Sequence, residues 1–362
     1  MKTKVFVVMA AVAVAAVAWL FFFRPCGVEA GTVPPASGYK VLAPIRQGNL
    51  TVFPVVADVS HDTRGFLTLD EGVRSGEVVV SESGSIQPLR RRQAVTPPDG
   101  AQVNQLVLVN NSKRPLILLA GEIVTGGKQD RVIGKDRIVP AESDPIDMSV
   151  FCVEPGRWTG ASSKFGSMDS AMAQPGVRAK AMDEKNQAMV WSEVRKAQQG
   201  MVEVLPAPAA HAVGETSSYA RVMNNQEVKD KVDSVATPIQ RSYESVIKQL
   251  RDRNAVGVVA AVNGEIVWAD IFASTDLLQK YWPKLVRSYA AEAVVSKTKS
   301  QEIDTKSAQQ FVDDLEGRRE TAETEPGLYR HTEINGDGFK AFELTSLLPK
   351  TGFDVHLAKM AD

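Results

Sequence analysis

Hydrophobic and polar positions along this 362-residue chain fall into three regimes. The first is Val5 to Phe23, an unbroken apolar run behind the basic head Met1-Lys2-Thr3-Lys4, with Trp19 near its far end and Arg24-Pro25 closing it. At about 1.5 Å per residue a helix over this run spans about 28 Å, close to the ~30 Å hydrocarbon core of a bilayer. The basic head predicts the amino terminus inside and the body outside the cytoplasm. Residues 1–30 read as a retained signal anchor or as a cleaved signal peptide. The run exceeds the usual ~7–15-residue signal core, whereas Val28-Glu29-Ala30 puts small residues where a peptidase would cut before Gly31. Lipid attachment at Cys26 fits poorly, because Arg24 and Pro25 stand where small residues are needed. The implied location is the inner membrane facing the periplasm or exterior, or secretion if the segment is removed.

After a Gly/Pro linker at 31–38 comes the second regime, short apolar runs of strand type. Leu50–Val56, Gly76–Ser81 and Ile146–Glu154 are rich in β-branched residues, and Thr68–Val73 suits one helical turn. Gln105–Val109 and Pro115–Leu119 flank Asn110-Asn111-Ser112-Lys113, a turn composition that predicts a hairpin. Thr159–Gly176 has no period and reads as loop. Asp183–Gln199 has an apolar stripe at helical spacing, and Val204–Ser218 reads as a flexible excursion.

The third regime mixes periods. Ile239, Tyr243, Val246, Ile247 and Leu250 recur at helical spacing behind Pro238, which suits a first helical turn. Ala255–Val262 and Glu265–Phe272 flank Asn263-Gly264, a strong hairpin signal. Ser274 or Thr275 caps a helix to about Val295 in which Pro283 marks a break or restart, 297–325 is charged and partly helical, and Phe339–Leu344 with Phe353–Leu357 closes the chain as a hairpin. The expectation is an α+β fold, mainly antiparallel hairpins with inserted helices, preceded by one N-terminal hydrophobic helix. Residues 39–358 form a single large domain with an excursion near 201–220.

Composition narrows the function. A 44% apolar and 23% charged chain with a formal charge of −1 is globular and carries no footprint for nucleic acid. Arg90-Arg91-Arg92 reads as a solvated segment. Two cysteines and four scattered histidines supply no disulfide framework, zinc set or HExxH pair. Gly121–Gln129 misses a phosphate loop by one residue of spacing and by Gln129 in place of Ser/Thr, and Glu333–Leu344 lacks the twelfth-position carboxylate of a calcium loop. No cofactor or metal is implied.

The chemically dense stretch is Gly121 to Trp158. Gly126-Gly127 permits positive φ, so successive backbone N–H groups can converge on an anion. Lys128, Gln129, Arg131 and Arg157 add donors, Trp158 offers a stacking face, and Glu154 or Glu122 is a candidate general base. Asp270, on a later hairpin strand, is a further ligand-binding candidate. The competing structural reading makes Gly126-Gly127 a plain turn, Glu122–Lys128 and Glu154–Arg157 ordinary ion pairs, Trp158 core, and Cys152 a buried hydrophobe.

Leu118-Leu119-Ala120-Gly121-Glu122, Gly126-Gly127-Lys128-Gln129-Asp130-Arg131 and Val150 to Trp158, together with Gly257 to Gly264, Ala269-Asp270-Ile271-Phe272 and Trp282 to Tyr289, resemble the bacterial ARPP family, named for association with ADP-ribosylglycohydrolases and rhodanese/phosphatase-superfamily proteins. The resemblance extends from about Tyr39 to Leu357 and implies a nucleotide or ADP-ribose-like ligand, without an established activity. The expected function is a membrane-tethered extracytoplasmic binding module, with an anion site on Gly126–Gln129 and Arg131. The alternative is a hydrolase of a phosphorylated or glycosidic ligand, with Glu154 or Glu122 as base.

Overall fold

The two most completely apolar strand runs meet side by side towards one edge of a nine-stranded antiparallel sheet. They are β3 (Leu50–Ala57) and β13 (Asn254–Val262), buried along almost their whole length. The computed structural model describes residues 38–82, 105–157, 162, 164–168, 171–250, 253–299, 301–349 and 351–362. The Val5–Phe23 run, most of the linker, Arg90–Arg92 and Trp158 lie outside the described residues. The sheet is completed by β1 (Tyr39–Val41), β2 (Ile45–Gln47), β14 (Glu265–Phe272), β15 (Gly317–Glu325), β16 (Tyr329–Gly336), β17 (Phe339–Ser346) and β18 (Asp354–Ala361). The order is β1-β3-β13-β14-β18-β17-β16-β15, with β2 also on β3. Asn263 and Gly264 both take positive φ, which closes the β13–β14 hairpin as the sequence predicts.

A second layer is a closed antiparallel barrel of β5 (Val78–Glu82), β6 (Gln105–Asn110), β8 (Ile123–Gly126), β9 (Arg131–Ile133), β11 (Ile146–Cys152) and β12 (Lys164–Ser167), in the order β11-β6-β5-β12-β8-β9. Beside it lies a small sheet in which β7 (Leu116–Leu118) pairs with β10 (Arg137–Val139) antiparallel and with β4 (Leu67–Thr68) in parallel. The expected hairpin at 105–119 therefore does not form. β6 pairs with β5 and β11, while β7 leaves for the small sheet. Both runs are almost continuously apolar in sequence, so the pattern does not say which partner each takes; in the structure β6 alternates buried and partly exposed positions while β7 is buried throughout.

Eight α-helices complete the described residues. They are α1 (Leu69–Ser75), α2 (Pro175–Ala179), α3 (Gln187–Val204), α4 (Ala207–Glu215), α5 (Tyr219–Asn224), α6 (Gln226–Gln249), α7 (Thr275–Val295) and α8 (Thr305–Asp313), with one π-helical turn over Lys180–Glu184. Thr68 caps α1 through a reciprocal box with Glu71. The excursion near 201–220 is instead the end of α3 followed by α4 and α5; Pro206 and Pro208 sit at the entry of α4, where a missing N–H costs nothing. The supposed loop at 159–176 contains β12 and the start of α2. Pro238 lies inside α6, which begins at Gln226 behind the Asn225 cap, and Pro283 lies inside an unbroken α7. Burial of Val228, Val232, Ala236, Ile239 and Tyr243 along one stripe of α6 outweighs the lost hydrogen bond.

Alternation sorts the cores. Leu50 and Val52 of β3 face the helices, Phe53 and Val55 face α8, and the barrel encloses Val80, Leu108, Val124, Ile133 and Val150. From Pro35 to Asp362 the chain is one compact unit.

Candidate functional site

The β8–β9 turn carries the glycine pair to one end of the barrel. Gly126 and Gly127 have φ of 131° and 49°, and a Cβ on Gly127 would sit 2.2 Å from the Phe165 ring, so only glycine fits. The backbone donors do converge, but on the protein's own acceptors. Gly126 N–H donates to Asp130 Oδ1 (3.0 Å), Lys128 N–H to Glu82 Oε1 (2.7 Å) and Gly127 N–H to Ser162 Oγ (3.4 Å). Two carboxylates thus occupy the nest that the sequence offers to an external anion.

Arg157 closes over the same corner. Its Nη2 lies 2.5 Å from Glu154 Oε2 and 3.6 Å from Asp130 Oδ1, and its Nη1 donates to Gly127 O (3.1 Å). Asp130 N–H donates to Glu154 Oε2 (3.1 Å), Gln129 Nε2 to Glu154 O (3.0 Å), and Ser218 Oγ to Asp130 Oδ2 (2.8 Å). Burial, then the Glu154 charge, push the Asp130 carboxyl above its ordinary range. The Glu154–Arg157 pair expected from sequence is present.

Arg131 behaves differently. It shares a side of β9 with Ile133, opposite Val124 on β8 and Cys152 on β11, so its side chain enters the barrel end rather than the solvent. It is wholly buried, its Nη1 reaches only Asp130 O (3.4 Å), and its Nε and Nη2 have no hydrogen-bond partner among the described residues. Burial lowers its pKa, opposed by the Cys152 and Glu82 charges. Glu82 Oε2 and Gln129 Oε1 are likewise buried without partners. The Cys152 thiol is pushed up by burial, as suits a packed sulfur rather than a nucleophile.

The remaining candidates lie in other networks. Glu122 does not pair with Lys128. Its Oε1 meets Lys284 Nζ of α7 at 2.7 Å, Lys284 also holds Asp70 Oδ2 at 2.6 Å, and Glu122 Oε2 accepts from Leu119 N–H (2.9 Å). Glu122 and Glu154 share no partner. Asp270 belongs to a third, fully buried chain of charges. Arg178 clasps both its oxygens at 2.8 and 2.9 Å, Tyr289 donates to Oδ2, and His356 Nε2 lies 3.1 Å from Oδ1. On its other side His356 Nδ1 lies 2.5 Å from Asp136 Oδ2, whose Oδ1 accepts from Ala120 N–H (2.7 Å). Arg178 stacks 4.3 Å above the Trp268 ring. Sequence reasoning missed Asp136, Arg178, Lys284, Tyr289 and His356; only the polar interruption of otherwise apolar stretches marks them, and no spacing links residues 136 to 356.

Four cavities of about 80 to 280 Å³ are described, and none is lined by these candidate residues. Among the described residues no group of three or more His, Cys, Asp or Glu could hold a metal, and no helix is long and apolar enough to cross a membrane.

No curated protein and no solved structure matches the chain. A family model does, that of the ARG and Rhodanese-Phosphatase-superfamily-associated Protein domain, over residues 38–360. The match takes in every strand of the sheet, barrel and small sheet, all but the last residue of β18, and it agrees with the resemblance carried by the glycine-pair and Trp282–Tyr289 segments; the chain belongs to this family, ARPP-1.

Proposed function

We propose that the chain is a membrane-tethered, extracytoplasmic binding module that accepts a small anionic or nucleotide-like ligand at the Arg131 end of its barrel. The apolar Val5–Phe23 run supports the tether and its orientation. One observation carries the ligand reading: a wholly buried guanidinium with two donor atoms that lack partners among the described residues, beside acceptors of Glu82 and Gln129 that lack them there too. Folded proteins pair nearly all buried polar groups, and an unpaired buried cation is expensive. A ligand offering an acidic oxygen to Arg131, with hydroxyl or amine donors alongside, would satisfy the whole set, as a phosphorylated sugar or nucleotide does. The hydrolase alternative gains no support, because its two carboxylates are committed to separate cations.

Calorimetric titration of the full-length chain in detergent with inorganic phosphate, nucleotides, ADP-ribose and glycans tests the reading. At least one should bind, and Arg131→Met should abolish that binding. Absence of binding across the panel, or unchanged binding in Arg131→Met, would refute the proposal.

A further inference from the structure

Pro283 interrupts the hydrogen-bond ladder of α7 where that helix packs against α6. Having no N–H, it leaves the Gln279 carbonyl without its helical donor. Gln279, Trp282 and Pro283, spaced three and four apart on one face of α7, form one wall of a cleft of about 280 Å³. Tyr243, Glu244, Ile247 and Lys248 of α6 form the other. Tyr243, Leu278 and Trp282 are at most 3% exposed and make the floor, whereas Glu244, Lys248 and Gln279 are exposed at the rim. The Trp282-Pro283 pair belongs to a segment that carries the family resemblance, and it takes no part in the networks around Arg131, Glu122 and Asp270.

The polar groups of the cleft do not satisfy one another. Tyr243 donates its hydroxyl to Gly257 O (2.7 Å), and its ring lies 4.3 Å from that of Trp282, tilted by 33°. Trp282 Nε1 is buried with no hydrogen-bond partner among the described residues. An acceptor that has lost its helical donor and a donor without a partner thus share one wall, although folded proteins pair nearly all their buried polar groups. Glu244 and Lys248, four residues apart on α6, bring opposite charges to the rim, so the mouth has no net charge.

We propose that this cleft binds a small neutral aromatic amide. The aromatic floor receives the ring, the amide N–H donates to the Gln279 carbonyl, and the amide oxygen accepts from Trp282 Nε1–H. A cavity of ~150 Å³ already takes up benzene, and sites for drug-sized ligands begin at ~300 Å³. The 280 Å³ here therefore suits one or two rings rather than a nucleotide. An aromatic carboxylate suits it less, since it brings no donor for the carbonyl and meets no net positive charge. The site is independent of the Arg131 end.

The test is calorimetric titration of the full-length chain in detergent, against micelle-only blanks, with benzamide, N,N-dimethylbenzamide and benzoate. Benzamide should bind most tightly. Pro283→Ala gives the Gln279 carbonyl its helical donor and removes a helix breaker, so it tests the acceptor in a chain that still folds. It should weaken benzamide about two- to tenfold and leave N,N-dimethylbenzamide, which has no N–H, unchanged. Trp282→Phe keeps a ring but loses the N–H, and should weaken both amides by a similar factor. Ile247→Trp should fill the cleft and abolish binding, and Arg131→Met should leave it unchanged. No benzamide binding, equal benzamide binding in Pro283→Ala and Trp282→Phe, or binding of benzoate as tight as that of benzamide would each overturn the assignment. Loss of benzamide binding in Arg131→Met would overturn its independence.

Discussion

The fully buried His356 between Asp136 and Asp270 makes the stability of this protein depend on pH in a calculable way. Burial alone would lower the pKa of its imidazole, but the two carboxylates dominate and hold it up at about 9, against an ordinary value of 6.5. A base whose pKa is higher folded than unfolded binds more protons in the native state, so its contribution is complete below pH 6.5 and is lost as pH rises through 9. Linkage over that interval gives about 3 kcal/mol in total, of which about 1 kcal/mol disappears between pH 7 and pH 8. Two other groups bound the clean window. His331, depressed to about 4, adds stability as pH rises toward 6.5, and Lys359, depressed to about 8, adds stability above pH 8. Stability from these groups should therefore rise up to about pH 6.5 and fall from there to about pH 8, where the Lys359 gain begins to offset the loss. Urea denaturation followed by tryptophan fluorescence at pH 7.0, 7.5 and 8.0 measures the slope, and His356→Gln should abolish it while lowering stability at pH 7 by about 3–5 kcal/mol, because Asp136 loses its cation. An unchanged midpoint from pH 7 to pH 8, or an equal slope in His356→Gln, would refute the charge assignment.

Two further outcomes are expected. Lys284→Met leaves Glu122 and Asp70 facing each other without their shared cation and should cost about 3–5 kcal/mol in chemical denaturation, with Glu122→Gln in the same chain recovering part of it. The full-length chain should sediment with membranes and resist alkaline carbonate extraction if Val5–Phe23 is retained, or be released with Gly31 at its amino terminus if it is cut; recovery in the cytosol would defeat the extracytoplasmic placement.

Local signals in the sequence translated well where one element carried the whole signal. Asn263-Gly264 marked its hairpin because two adjacent positive-φ positions favour it whatever the surroundings. Thr68–Val73 reads as one helical turn, and α1 forms there because its Thr68–Glu71 capping box is a four-residue device that needs no distant partner. Prediction failed where tertiary burial overrode punctuation, as at Pro238 and Pro283, which stop isolated helices yet sit inside α6 and α7. The site was half legible. Gly126, Gly127, Lys128, Gln129, Arg131, Glu154 and Arg157 are gathered at one barrel end because they lie within one short stretch of chain. Sequence alone pairs Glu122 with Lys128 and Asp270 with nothing, since the partners that claim them, Lys284, Arg178 and His356, come from distant parts of the chain.

The position of β18 sets a constraint on the order of assembly. It is the last strand to be made, yet it is inserted between β14 and β17, so until it arrives the β15–β17 meander has no edge to join and Asp136 and Asp270 face each other without His356. Such distant pairing is slow to form. A nascent chain halted before Asp354 leaves β14 and β17 without the strand that joins them and Asp136 without its imidazolium. On the export proposed above, that delay would keep the body pliable while it crosses the membrane.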